Sequence, residues 1–179
     1  MSSPIATLKP EFIWKHFDAL RQIPRASKNE AAVREHIKKW AAERHFEAVQ
    51  DHAGNLCVRV PATKGHEKAR IVIMQGHLDI AAEKNKTSNH NFDTDPIQVK
   101  VDGDWVVAPD TTLGADNGIG VATALASADD PSVVHGPLEL LFTIDEETGL
   151  TGATELDGSI LKGRTLLNLD SEEDGALFV

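Results

Sequence analysis

Ile71-Val72-Ile73-Met74-Gln75-Gly76-His77-Leu78-Asp79 decides the fold. Four apolar residues run without interruption and then give way to Gln75-Gly76. A strand with one wet face would alternate, so this run predicts a strand covered on both faces, as in the sheet of an α/β protein. Two similar runs lie downstream. Leu138–Ile144 leads into Asp145-Glu146-Glu147, and Thr165–Leu169 leads into Asp170-Ser171-Glu172-Glu173.

Helical patterns surround these strands. Phe12, Phe17, Leu20 and Ile23 predict a helix over Pro10–Ile23, closed by Pro24. Ser27-Lys28-Asn29-Glu30 reads as a capping box that opens a second helix, with Val33, Ile37, Trp40 and Ala41 as its apolar stripe. Gly114–Ala128 is rich in small residues and suits a helix lying close to a sheet, and a short helix fits Thr151–Leu156. Ala48–Gln50 and Leu56–Val60 flank a turn-rich stretch and predict a hairpin. Ile97–Val101 and Trp105–Ala108 predict a second around Asp102-Gly103-Asp104. The expected fold class is α/β: a mixed, mostly parallel central sheet with flanking helices.

The 179 residues suit one domain, and 41% apolar with 26% charged residues is ordinary for a globular chain. Lys and Arg number 18 against 28 Asp and Glu, a net charge of −10 with no basic patch, so neither nucleic acid nor an anionic membrane surface is an expected partner. No run approaches the roughly 18 apolar residues of a membrane span. The opening residues lack a basic-then-apolar secretion signal. The single cysteine, Cys57, lies mid-strand and reads as a small core residue. A reducing, cytoplasmic location is the expectation.

Each apolar run ends in imidazole or carboxylate. Open α/β sheets bind ligands beyond the carboxyl ends of their strands, so His77, Asp79, Asp145–Glu147 and Asp170 are expected at one edge. Clustered carboxylates repel and raise one another's pKa. A divalent cation resolves that repulsion, and His nitrogen with carboxylate oxygen is a usual zinc ligand set. Gly114-Ala115-Asp116-Asn117-Gly118-Ile119-Gly120 is glycine-rich like a nucleotide loop, but no apolar strand immediately precedes it and no Gly-Lys-Ser/Thr follows. Its glycines instead allow a tight path that points Asp116 into the metal site. His90 and His135 read as ordinary loop residues.

These segments resemble the M20 metallopeptidases, in their Xaa-His (aminoacyl-histidine) dipeptidase branch. The resemblance is carried by Gln75–Asp79, Thr111–Gly120, Leu141–Gly149 and Asn168–Glu173, in family order and with family-like spacing. The chain departs from the family at Ile80-Ala81, where Met and Val are usual, a change expected to affect packing rather than ligation.

The resemblance implies a zinc-peptidase-like catalytic domain that hydrolyses dipeptides. It implies two Zn2+ ions, with Co2+ or Mn2+ as possible substitutes. His77, Asp116 and Asp170 would hold one ion, Asp116 would bridge to the second, and Glu147 would ligate that second ion. Glu146 would be the general base and Asp79 the carboxylate orienting His77. Adjacent Glu146 and Glu147 suit these two roles on extended backbone, where consecutive side chains diverge. A cis peptide before Asn117 is also implied. Complete members of the branch are expected to be homodimers. They insert a lid after the segment of Asp170 and return with a histidine ligand, so residues 1–179 read as the N-terminal part of the catalytic domain. Gly175–Val179 would begin a further strand, and the isolated chain would tend to associate. Another M20 amidohydrolase or aminopeptidase, or a noncatalytic fragment binding metal or a partner, are the alternative readings.

Overall fold

Strand order and register bring the predicted strand ends together. The computed structural model describes residues 3–5, 7–171 and 175–176. Glu172 and Glu173 of the last motif, and most of the strand expected at Gly175–Val179, lie outside the described residues.

The chain forms α1 (Glu11–Leu20), α2 (Ala31–Glu43), β1 (Glu47–Gln50), β2 (Leu56–Val60), β3 (Val72–His77), β4 (Lys100–Asp102), β5 (Trp105–Val107), α3 (Ala115–Asp129), β6 (Leu138–Thr143), α4 (Thr151–Thr154) and β7 (Thr165–Asn168). Five strands make the central sheet in the order β1-β2-β6-β3-β7. β1 pairs with β2, and β2 with β6, antiparallel; β3 runs parallel to both β6 and β7. The sheet is therefore mixed, as expected, with parallel and antiparallel pairings equal in number rather than mostly parallel among the described residues, and its parallel half carries the acidic strand ends. His77 lies opposite Thr143, and Asn168 opposite Gln75. Parallel neighbours need a long crossover, and α3 supplies the one from β3 to β6. β4 and β5 form a separate hairpin, with Trp105 beside its turn largely exposed.

The sheet's two faces are unequal. Phe17, Leu20, Val33, Ile37, Val121 and Leu125 from α1–α3 pack with Leu56, Val58, Leu140 and Phe142 of the sheet in one large core. The other face holds a smaller cluster of Cys57, Ile73, Leu141 and Ile160. Burial, with Glu139 nearby, pushes the Cys57 thiol up to about 12, which suits a core residue. Glu139 is itself buried in β6, and its carboxylate accepts hydrogen bonds from the backbone amides of Lys162 and Gly163, fixing the approach to β7.

Three local expectations are corrected. The first helix ends at Leu20, with single turns carrying the chain to Ile23. The Ser27–Glu30 capping box does not form: α2 starts at Ala31, the Ser27 hydroxyl donates to Asp79, and Glu30 accepts from the amides of both Lys28 and the distant Asp145. The third apolar run is not buried. β7 is an outer strand among the described residues, and Leu166 and Leu167 are 48% and 45% exposed. No helix among the described residues is long and apolar enough to cross a membrane.

Candidate metal centre

His77 closes β3 with its side chain buried. Its Nδ1 lies 3.1 Å from the backbone oxygen of Asp79 and 3.4 Å from Asp79 Oδ1. That leaves Nε2 facing the carboxylates: 2.9 Å from Asp116 Oδ1, 3.7 Å from Asp170 Oδ1 and 3.9 Å from Glu146 Oε2. Two groups of possible ligands share the imidazole, His77–Asp116–Asp170 and His77–Glu146–Glu147, and within each group the ligand atoms lie within 4.8 Å of one another. All the residues singled out for metal or proton chemistry therefore meet at one edge. Among the described residues no other histidine joins either group.

Each side chain is placed by a specific device. Asp116 sits in a non-helical step at the start of α3, after Gly114 in the left-handed region, and the Asp116–Asn117 peptide is cis, as the resemblance implied. Asn117 Nδ2 donates to the Leu169 carbonyl at 2.7 Å and to Asp170 Oδ1 at 2.8 Å, tying α3 to the end of β7. Gly76 makes room for it, because a Cβ there would collide with the Asn117 amide. Asp116 and Asp170 line an open cleft of about 270 Å³ between these two elements.

Asp79 is fully buried and does more than face His77. Its Oδ1 accepts the Glu146 amide at 3.0 Å; its Oδ2 accepts the Ser27 hydroxyl at 2.7 Å and the Glu147 amide at 3.2 Å. The two glutamates thus lie on a turn, not on the extended backbone expected for them. Asp145, at φ 50°, begins that turn. Its carboxylate accepts the Thr148 and Thr151 hydroxyls, and its amide donates to Glu30 Oε1 at 3.0 Å. Glu147 Oε1 accepts the Ala81 amide at 3.1 Å.

The electrostatics reflect crowded negative charge. Burial opposes a charge on His77, but Asp79 and Asp116 outweigh it and push the imidazole up to about 9. Burial also opposes charge on Asp79, yet His77, Ser27 and the two amides hold it well below the usual carboxylate range. Glu146 is raised, chiefly by burial and then by Asp170 and Glu147, against the pull of His77. Asp170 is raised by burial and by Asp116, again against His77. One imidazole nitrogen among several carboxylate oxygens suits a divalent cation, which would relieve the repulsion. Such an ion must displace the His77 proton, so its binding is proton-linked.

Sequence reading missed two residues of the site. Asn117 was noted only for its peptide bond, and its polar side chain beside Asp116 was the available signal. Arg25 was not noted at all. It lies buried behind the cluster, and nothing in Pro24-Arg25-Ala26 marks it out.

No protein-family model matches the chain. It is 46% identical over 177 residues to the cytosol non-specific dipeptidase of Escherichia coli K12, a match covering 99% of this chain and 36% of that protein. The crystal structure of aminoacylhistidine dipeptidase from Vibrio alginolyticus superposes with a TM-score of 0.94 at 47% identity, covering 97% of this chain and 35% of the other. The aminopeptidase PepT of Bacillus cereus, at 24% identity, shares the fold: its TM-score is 0.76 over 91% of this chain and 44% of its own. The chain thus spans about a third of the length of the two dipeptidases it matches.

Proposed function

We propose that this member of the M20 peptidases, in their aminoacylhistidine dipeptidase branch, is part of a metal-dependent enzyme that hydrolyses dipeptides. The observation that carries the reading is the approach of His77 Nε2 to Asp116, Asp170 and Glu146 at 2.9, 3.7 and 3.9 Å. His77, Asp116 and Asp170 would hold one zinc ion; Asp116 and Glu147 would hold a second, completed by a histidine beyond these 179 residues. Zinc is favoured by the mixed nitrogen and oxygen donors. When bound, such ions polarise a carbonyl and acidify water.

The chain's own residues supply the rest. Glu146 accepts the proton of the attacking water as the new C–O bond forms, then delivers it to the amine as the C–N bond breaks. Asp79 holds the Glu146 and Glu147 amides on one carboxylate, which keeps base and ligand in fixed relation. It also faces the Nδ1 side of His77, turning Nε2 toward the cluster.

Dipeptides are the substrate class, and Xaa-His is the narrower proposal. The Vibrio relative is named for aminoacylhistidine substrates and the Escherichia relative as non-specific. The same reading takes residues 1–179 as the N-terminal part of the catalytic domain of a cytoplasmic homodimer, acting without nucleic acid or membrane. The test is Glu146→Gln in the complete protein. Turnover of Xaa-His dipeptides should fall by about 10²–10⁴-fold with zinc binding retained. Parallel loss of zinc would make Glu146 a ligand and require another base.

A further inference from the structure

Arg25 lies between α1 and α2, only 3% exposed. Its Nη1 donates to the carbonyls of Leu78 at 2.8 Å and Asp79 at 3.3 Å, and its Nη2 to the carbonyl of Gly114 at 2.7 Å. Leu78 and Asp79 follow His77 directly, and Gly114 stands two residues before Asp116. One guanidinium therefore joins the two chain segments that bear the paired His77 and Asp116. The backbone makes room for it. A Cβ at Gly118 would collide with Nη2, and one at Gly114 would crowd both Nη2 and Ile80. The Arg25 carbonyl accepts the Ile80 amide at 3.1 Å, adding a third tie to the exit of β3.

Burying this cation is costly. Desolvation brings its pKa down to about 10, with Asp79 and Asp116 opposing the fall, and it forms no ion pair among the described residues. An apolar side chain of similar volume would often fill such space at lower cost. What arginine adds is a rigid planar fork able to bind several carbonyls at fixed angles. The next residues of its loop act in the same direction: Ser27 bonds Asp79 Oδ2, and Glu30 bonds the Asp145 amide.

We propose that Arg25 is a positioning residue of the metal centre, setting the separation of the β3 exit from the start of α3 and so preorganising His77 and Asp116 as ligands. The ligand consequence rests on the metal-binding reading above; the bracket itself does not.

The test uses the 179-residue chain and its Arg25→Lys, Arg25→Met and Asp129→Asn variants. Amide hydrogen exchange is followed without metal, and zinc affinity is then measured by competition with a chromogenic chelator. Lysine keeps the charge but loses the fork. Arg25→Lys should keep its far-ultraviolet circular dichroism, yet the amides of Gly118 and Glu146 should exchange at least tenfold faster while those of β2 and β6 do not change. Its zinc affinity should fall at least tenfold. Asp129→Asn, far from the cluster, should show no such confined change. Exchange in Arg25→Lys that matches the parent at Gly118 and Glu146, or that rises uniformly across the sheet, overturns the proposal. If Arg25→Met does not fold, Arg25→Lys decides. A parent chain that binds no zinc would sink the metal reading alone, and the exchange pattern would still judge the bracket.

Discussion

Asp79→Asn should destabilise the metal-free chain by about 3 kcal/mol at pH 6. The carboxylate has no exposed surface and accepts the Ser27 hydroxyl and the Glu146 and Glu147 amides, with the His77 imidazole 3.4 Å away. Breaking a buried charge pair costs about 3–5 kcal/mol. Asparagine retains one acceptor oxygen, enough for the Glu146 amide, which places the loss at the lower end. Its NH2 group, however, would face the Glu147 amide, donor against donor. The cost also has a pH signature. Asp79 is depressed in the folded state, so its contribution is complete above the unfolded carboxylate pKa of about 4 and is lost as pH falls through the folded value. His77 is raised to about 9, so its contribution is complete below the unfolded imidazole pKa of about 6.5 and is lost as pH rises through 9. The stability gap between parent and variant should be widest between about pH 4 and 6.5 and narrow on both sides. Urea unfolding followed by circular dichroism, in the presence of chelator, reads it directly. A gap under about 1 kcal/mol, or one that widens above pH 9, would refute the Asp79–His77 pairing.

Gly76→Ala should cost about 2 kcal/mol, the usual scale of overpacking, and should weaken zinc binding, because the new methyl displaces Asn117 from Leu169 and Asp170; thermal melts and chelator competition measure both. Asp129→Asn should also cost about 2 kcal/mol, since Asp129 accepts hydrogen bonds from His16, Trp40 and Arg44 and so joins the end of α3 to α1 and α2. Its zinc affinity should match the parent's in the same competition assay.

The parts of the site legible in the sequence were those that follow from strand direction. Parallel strands share their carboxyl edge, so the expectation of a largely parallel sheet placed the ends of β3, β6 and β7 together. His77, Glu146 and Asp170 each stand there. The fully buried β6 was legible for a similar reason, because a strand flanked by neighbours and covered on both faces is mostly apolar, here interrupted only by Glu139 before Thr143. β7 has such a run but lies at the outside of the described sheet, and its composition does not say what covers it. The capping box failed because its side chains also serve distant partners, Glu30 while still accepting the nearby Lys28 amide. Ser27 bonds Asp79, 52 residues away, and Glu30 bonds the Asp145 amide, 115 residues away. Arg25 was invisible for the same cause: its carbonyl partners lie 53, 54 and 89 residues along the chain, and no short window contains them.

Zinc titration of the 179-residue chain by calorimetry, repeated with His77→Ala and with His90→Ala, probes the metal centre itself. His77 belongs to both groups of possible ligands, and His90 belongs to neither. One tight equivalent of zinc is expected in the parent, from three protein ligands and an open position, with a second ion bound far more weakly. His90→Ala should leave that titration unchanged, and His77→Ala should abolish the tight equivalent. Tight binding that survives His77→Ala, or a parent that binds no zinc, would rule out a metal centre built on His77.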